Sequence, residues 1–481
     1  MNSALIIRIL GSIGLVEAIS MIPAWVIALA YGDGDGPAML YSMLLTAAVA
    51  FLMYFFAHPK ERTLRAREGF LIVALSWIFL SVFGALPFLF SGLLPSFPDA
   101  LFESVSGFTT TGATVLPSFD FMPHGVIFWR SFTHWIGGMG VLVLTLALLP
   151  RLADRSSHLM RAESPGPSLS KLVPRIGDSA KILYMIYIAL TSMEMIALLF
   201  CGLDPYDAAI HALGTAGTGG FSNYGDSVAH FQSGQVELVM TIFMCLFGIN
   251  FAIFYFGIHR SWKEIRNNEE LRWYLGILIT AILVLTVMLL PVYGDFSSSI
   301  RYASFQTASV VSTSGFCTVD FDLWPVQARM VLFVLMFMGS CAGSTAGGMK
   351  VIRVILLLKQ GHREIRHTFQ PRKVQRIRLD GHGVDESMLH SISAFGFAYI
   401  FIVLLGAFLI ALEGKYDLIT NFTASLTCVS NVGPGFGAVG PSGSFAGYGP
   451  YAKIISSLLM LAGRLELYPL LVLFHPNVWK T

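Results

Sequence analysis

This sequence predicts an all-α polytopic membrane protein: four tandem helix, pore-loop, helix repeats with pseudo-fourfold symmetry, preceded by two extra transmembrane helices. Three observations predict it. Hydrophobic residues make up 55% of the chain and charged residues 12%, a balance outside that of soluble domains. Apolar segments long enough to cross a bilayer recur near 5–30, 38–57, 69–92, 124–149, 181–201, 233–258, 271–293, 326–358, 388–412 and 451–476, about ten crossings. After residue 69, a shorter stretch rich in Gly, Thr and Ser separates an outgoing from an incoming segment four times.

The first segment imitates a secretory signal, with Arg8, an apolar run and "ALA" at 28–30, but Glu17 interrupts it and it is too long. It reads as a retained helix, and 1–68 as the N-terminal pair. The pore repeats then occupy 69–150, 151–260 behind a polar loop, 261–360 with a broken second helix, and 361–481 behind a polar linker.

Orientation follows from charge. Of 31 Lys and Arg residues, 23 lie in segments 58–69, 151–181, 259–272 and 350–378. Basic loops stay cytoplasmic, so both termini are expected inside. The opposite loops, near 31–38, 93–124, 202–235, 294–326 and 413–451, hold thirteen Asp and Glu against Arg301 and Lys415. An acidic outer face would concentrate external cations; topology alone accounts for most of these carboxylates as simply.

Enzyme chemistry finds no foothold. The five cysteines show no CxxC spacing and lie mostly in or beside apolar segments, which implies neither disulfides nor a metal site. HExxH, GxSxG and Walker-type motifs are absent from the sequence. The lone GxGxxG, "GFGAVG" at 435–440, follows a pore loop rather than a strand.

The four intervening stretches read "ALFESVSGFTTTGATVL" (100–116), "AAIHALGTAGTGGFSNY" (208–224), "YASFQTASVVSTSGFCTVD" (302–320) and "NFTASLTCVSNVGPGFG" (421–437). Each is about 8 to 11 residues of helical pattern ending in Thr, Ser or Asn and then Gly. Irregular backbone at membrane depth survives only when buried in protein or lining water. Four such loops entering from outside are therefore expected on one axis. Helix C-termini would bring negative dipole ends there, and extended residues beyond them would offer carbonyl rings that replace a cation's hydration shell. Gly112, Gly220, Gly315 and Gly433 hold the equivalent place in each loop, where aligned carbonyls need dihedrals closed to side chains.

In the third repeat, "GSCAGSTAGGMK" (339–350) interrupts an apolar run. As one helix, 326–358 would be about 50 Å long, against a hydrocarbon core of about 30 Å. The small residues, including Gly339, Gly343, Ser344, Thr345, Gly347 and Gly348, choose the break. The expected result is a loop below the filter acting as a gate, with a close helix crossing through small side chains as the alternative. Lys350 either binds a carbonyl or an acid there or snorkels to the interface. Arg464, mid-way along the last apolar segment, must face protein or water, since facing lipid costs several kcal/mol. Glu103, Glu194, His134 and His211 are intramembrane groups able in principle to relay protons, Glu103 more simply bracing the filter through hydrogen bonds.

"SGFTTTGAT", "GTAGTGGFS", "STSGFCT", "SNVGPGFG", "GSCAGSTAGGMK" and "GRLELYPLLVLF" together resemble the Trk/Ktr/HKT superfamily of cation transporters, nearest its bacterial Trk branch, over nearly the whole chain. The resemblance implies potassium uptake across a bacterial inner membrane through a selectivity-filter pore, with potassium as cargo and no organic cofactor on this chain. It implies that Thr110, Thr111, Gly112, Thr218, Gly219, Gly220, Thr313, Ser314, Gly315, Asn431, Val432 and Gly433 line the filter, and that Gly112 rather than Ser favours potassium over sodium. It implies that Arg464 projects into the path below the filter; a buried pair with a carboxylate is the alternative. A homodimer, a cytosolic TrkA-type ring that binds nucleotides, and lipids are the implied partners.

None of the loops reads TVGYG, and Ala113 and Pro434 stand where the middle loops have Phe221 and Phe316, so rubidium and some sodium are expected to pass. The basic stretch around Arg363, Arg366, Arg372, Lys373, Arg376 and Arg378 suits anionic lipid or an acidic partner. A proton- or sodium-coupled secondary transporter is the alternative function. Its inverted repeats are not what these equally oriented repeats suggest, and a polytopic enzyme would need a polar catalytic cluster.

Overall fold

Long apolar runs punctuated by Gly, Pro and Asp fold into helices joined by short turns. The computed structural model describes residues 2–59, 66–116, 118–119, 122–140, 176–373, 375–473 and 476. The basic stretches 60–65 and 151–175 and residues 141–149 of the 124–149 segment lie outside these residues.

Each repeat has an outgoing helix, a short helix and a returning helix. The short helices are Phe97–Phe108, Pro205–Gly217, Phe296–Val311 and Leu418–Ser430. At 12 to 16 residues they exceed the expected 8 to 11. The difference lies at their starts. Asp204, Asp295 and Asp417 each accept a backbone N–H as N-cap, so those helices begin upstream of the apolar pattern. Backbone N–H donation from Ser298 holds Asp295 below the ordinary carboxyl range, and Thr420's hydroxyl and N–H do the same for Asp417. Many of the acids in these loops therefore cap helices. Glu413 accepts from Gly449 and Ala452 N at 2.8 and 2.9 Å, and Asp33 and Asp35 accept from His124 and Val126 N across the N-terminal pair.

The repeats close on one another. The returning helix of each packs on the short helix of the next: His124–Gly138 on Pro205–Gly217, Gly234–Phe247 on Phe296–Val311, Val326–Met336 on Leu418–Ser430, and Pro450–Arg464 on Phe97–Phe108. The N-terminal pair, Ser3–Ser20 with Ile22–Tyr31 and then Gly36–Phe56, lies against repeat 1. Gly11 and Gly14 allow the close approach, since a Cβ on Gly11 would meet Ala50 O at 2.7 Å.

Among the described residues, six helices are long and apolar enough to cross a membrane, or seven with one bent pair. Helix is found in each of the ten expected segments, in the 124–149 segment as far as Gly138, but several are broken. In repeat 2, Gly234–Phe247 and Phe251–Ile258 meet at 92°, where one crossing was expected. In repeat 3, residues 337–350 separate Val326–Met336 from Val351–Phe369. In repeat 4 the helix stops at Arg464, and Glu466 and Leu467 take φ of 54° and 66°. Arg464 thus ends a helix rather than sitting in its middle.

Among the described residues, the only two-stranded sheet pairs Arg378–Leu379 with His382–Gly383, antiparallel, with Leu379 opposite His382. Asp380 and Gly381 turn it at φ of 50° and 82°, the two-residue turn that Asp-Gly favours.

Candidate functional site

All four short helices end alike. The first or second residue past the helix is left-handed: Thr110, Thr218, Thr313 and Asn431 have φ between 54° and 58°. Its N–H bonds three residues back, and the next N–H five back: Thr111 to Ser106 O, Gly219 to Gly214 O and Ser314 to Ser309 O at 2.9 Å, Val432 to Thr427 O at 3.0 Å. This is the Schellman cap, which usually takes Gly or Asn. Three β-branched threonines there cost roughly 1–3 kcal/mol each, strain of the kind found at functional sites. Two positions on, Gly112, Gly220, Gly315 and Gly433 return to positive φ, 75° to 96°.

The glycines form a closed ring. A Cβ on Gly112 would strike Gly219 O, one on Gly220 would strike Ser314 O, one on Gly315 would strike Val432 O, and one on Gly433 would meet Thr111 O at 2.6 Å. Each loop's glycine thus abuts the carbonyl before the next loop's glycine, in the order one, two, three, four and back to one. All four glycines line one cavity of about 490 Å³. Asn431 ties the first and last loops, its Nδ2 donating to Thr111 Oγ1 at 2.9 Å and Met460 O at 3.0 Å.

A buried ion pair stands behind the ring. Glu103 accepts from Arg130 Nε at 2.6 Å, Thr114 Oγ1 at 2.9 Å and Val115 N at 2.9 Å. Arg130 also donates to Ser222 O at 2.9 Å and lies 3.4 Å over the Phe221 ring. Loops one and two are thereby joined. Glu103→Ala is expected to cost about 3–5 kcal/mol by leaving Arg130 buried without its carboxylate; an unchanged melting temperature of the detergent-solubilised protein would refute that.

The small-residue loop of repeat 3 lies against the left-handed caps of the third and fourth short helices, at Thr313 and Asn431. Gly347 N donates to Thr313 Oγ1 at 2.8 Å. Gly339 N to Met349 O and Val351 N to Ser340 O tie its ends. Its middle is stitched to the repeat 2 break, Cys341 N to Gly248 O at 3.1 Å and Phe251 N to Gly343 O at 3.0 Å. Lys350 is buried and donates back to the Ala346 and Gly347 carbonyls, so it does not snorkel. Arg464 donates to Thr345 O at 2.8 Å and to Gly137 and Gly138 O at 2.6 and 2.7 Å. Glu466 pairs instead with Arg353 at 2.6 Å.

A family model described as "TrkH: Cation transport protein" matches residues 36–481. The chain belongs to the TrkH family. Trk system potassium uptake protein TrkH of Escherichia coli (strain K12) is 37% identical over 485 residues, covering 100% of both chains. Trk system potassium uptake protein TrkG of the same organism is 33% identical, covering 96% of each. The crystal structure of the potassium transporter TrkH from Vibrio parahaemolyticus superposes with a TM-score of 0.88 at 32% identity, covering 100% of both chains. A TrkH-family chain is a transport protein and not an enzyme.

Within this TrkH-family fold the intramembrane groups stand behind the ring, the His134 imidazole directly against Gly219. His134 bonds Gly107 O at 2.7 Å, and His211 bonds Asp207 O and Ser222 Oγ. Glu194 is buried on the outgoing helix of repeat 2. Through Ser222, His211 joins the Arg130–Glu103 pair that braces loop one. Sequence reasoning overlooked Asn250, whose side chain caps Phe251–Ile258 from Ala252 N at 2.9 Å. An Asn two residues after a Gly in "CLFGIN" was the available signal.

Proposed function

We propose that this chain takes up potassium across a bacterial inner membrane through the pore framed by the four loops, with both termini cytoplasmic. The observation that carries it is the closed order of carbonyls around Gly112, Gly220, Gly315 and Gly433. Four helix C-termini meet there, so partial negative charge and main-chain oxygens face one path suited to a dehydrated monovalent cation. The filter residues are Thr110 to Gly112, Thr218 to Gly220, Thr313 to Gly315 and Asn431 to Gly433. Loop 339–350 with Arg464 is the gate. Relatives named for a Trk system support a multi-component assembly, in which a homodimer carries a cytosolic TrkA-type nucleotide-binding ring on the basic face.

Cation flux into liposomes holding the purified protein tests the reading. Potassium should enter faster than sodium, with rubidium close to potassium; equal rates for all three would refute a selective filter. Flux that requires an imposed pH gradient would instead establish the proton-coupled alternative. Arg464→Ala removes three bonds from a charged donor, worth about 1.5–3 kcal/mol each, and frees the loop at Thr345. Potassium entry should quicken; slower entry in well-folded protein would make Arg464 a structural strut.

A further inference from the structure

We infer that Glu270 is a positioning residue for gating, a latch whose single carboxylate oxygen holds the entry and the exit of the intramembrane loop together. Glu270 Oε1 accepts from Ala342 N at 2.7 Å and from Ile352 N at 3.1 Å. The first donor lies just inside the loop and the second just beyond it. Glu270 belongs to neither; it sits at the start of the outgoing helix of repeat 3, Glu269–Tyr293, and is 5% exposed.

The helix Val351–Phe369 has no side-chain cap of its own, its N-cap being Lys350. Glu270 supplies the missing acceptor and sets a carboxylate at the positive end of that helix. Two bonds to one charged oxygen are strong enough to hold a glycine-rich loop and few enough for a partner's binding energy to release.

The neighbouring residue shows what would pull. Glu269 N donates to Asp380 Oδ1 at 2.6 Å, and the Glu269 carboxylate pairs with Lys359 at 2.5 Å. Lys359 in turn donates to Arg378 O at 2.7 Å. The hairpin at 378–383 on the basic face therefore reaches the loop through two adjacent glutamates. A protein docking on that hairpin shifts Glu269, and Glu270 with it.

This inference rests on the reading of 339–350 as a gate, and two readouts separate them. Cys341 adjoins Ala342 and is 1% exposed; Cys428, on the fourth short helix, is 0% exposed. The full chain in liposomes is treated with a maleimide, and labelling is read per cysteine by mass spectrometry, alongside potassium flux without any partner protein. Glu270→Ala should speed Cys341 labelling on the order of tenfold, as expected for losing hydrogen bonds to a charged group, with Cys428 still protected and flux raised. Glu270→Gln, which keeps an acceptor oxygen without its charge, should give a smaller rise in both. Cys341 labelling that does not change, or that rises together with Cys428, overturns the latch. Faster Cys341 labelling with unchanged flux leaves the latch standing and overturns the gate.

Discussion

Gly112→Ser is expected to lower the ratio of potassium to sodium flux about tenfold, the equivalent of about 1.4 kcal/mol. Two costs act together at this position. A left-handed backbone at φ of 80° disfavours any Cβ by about 1–2 kcal/mol. The added atom also overlaps Gly219 O, one of the ring's own carbonyls. That oxygen has to move away from the axis, and a widened ring loses its advantage for a potassium-sized ion. The hydroxyl adds an oxygen donor at the same height, which suits a smaller cation. Flux of both ions into liposomes is the measurement; an unchanged ratio in folded protein would remove Gly112 from the filter.

Deleting residues 343–347 should raise potassium flux without a partner by on the order of tenfold or more, because several contacts vanish at once. Gone are the Gly343 O bond to Phe251, the Gly347 N bond to Thr313 and the carbonyl that Arg464 grips, each worth about 0.5–3 kcal/mol. The bonds that fix the flanking helices lie outside the deletion, Gly339 N to Met349 O at 2.9 Å and Val351 N to Ser340 O at 3.1 Å. The flanks thus have reason to stay in place while the obstruction shortens. Flux that fails to rise, with the melting temperature preserved, would make the loop a structural crossing.

Composition and repetition made the architecture legible. Glycines recur at one place in four stretches, and no local rule is needed to see that they are equivalent. The break in repeat 3 was legible because ten small residues in a row have no use in a lipid-facing helix. The breaks in repeats 2 and 4 were not. Glu466 and Leu467 are poor candidates for left-handed backbone, and their N–H bonds to Gly463 O and Ala462 O, the Arg353 pair and the packing around Leu467, 1% exposed, hold them there. The same holds for Thr110, Thr218 and Thr313. Intrinsic preference argues against their conformation, and only the assembled ring imposes it. Arg464 was found by its charge alone, since burial demands partners; that those partners are carbonyls from two other repeats depends on contacts 119 to 327 residues distant in sequence.

The circuit of returning helix on neighbouring short helix is drawn by a single polypeptide. In a tetramer of identical subunits, one codon change would rewrite all four walls together. Here it rewrites one quadrant and leaves three as witnesses. That freedom lets Asn431 stand where the other loops have threonines, and lets a small-residue loop grow from the third quadrant only, without a fourfold pile-up of loops at the centre.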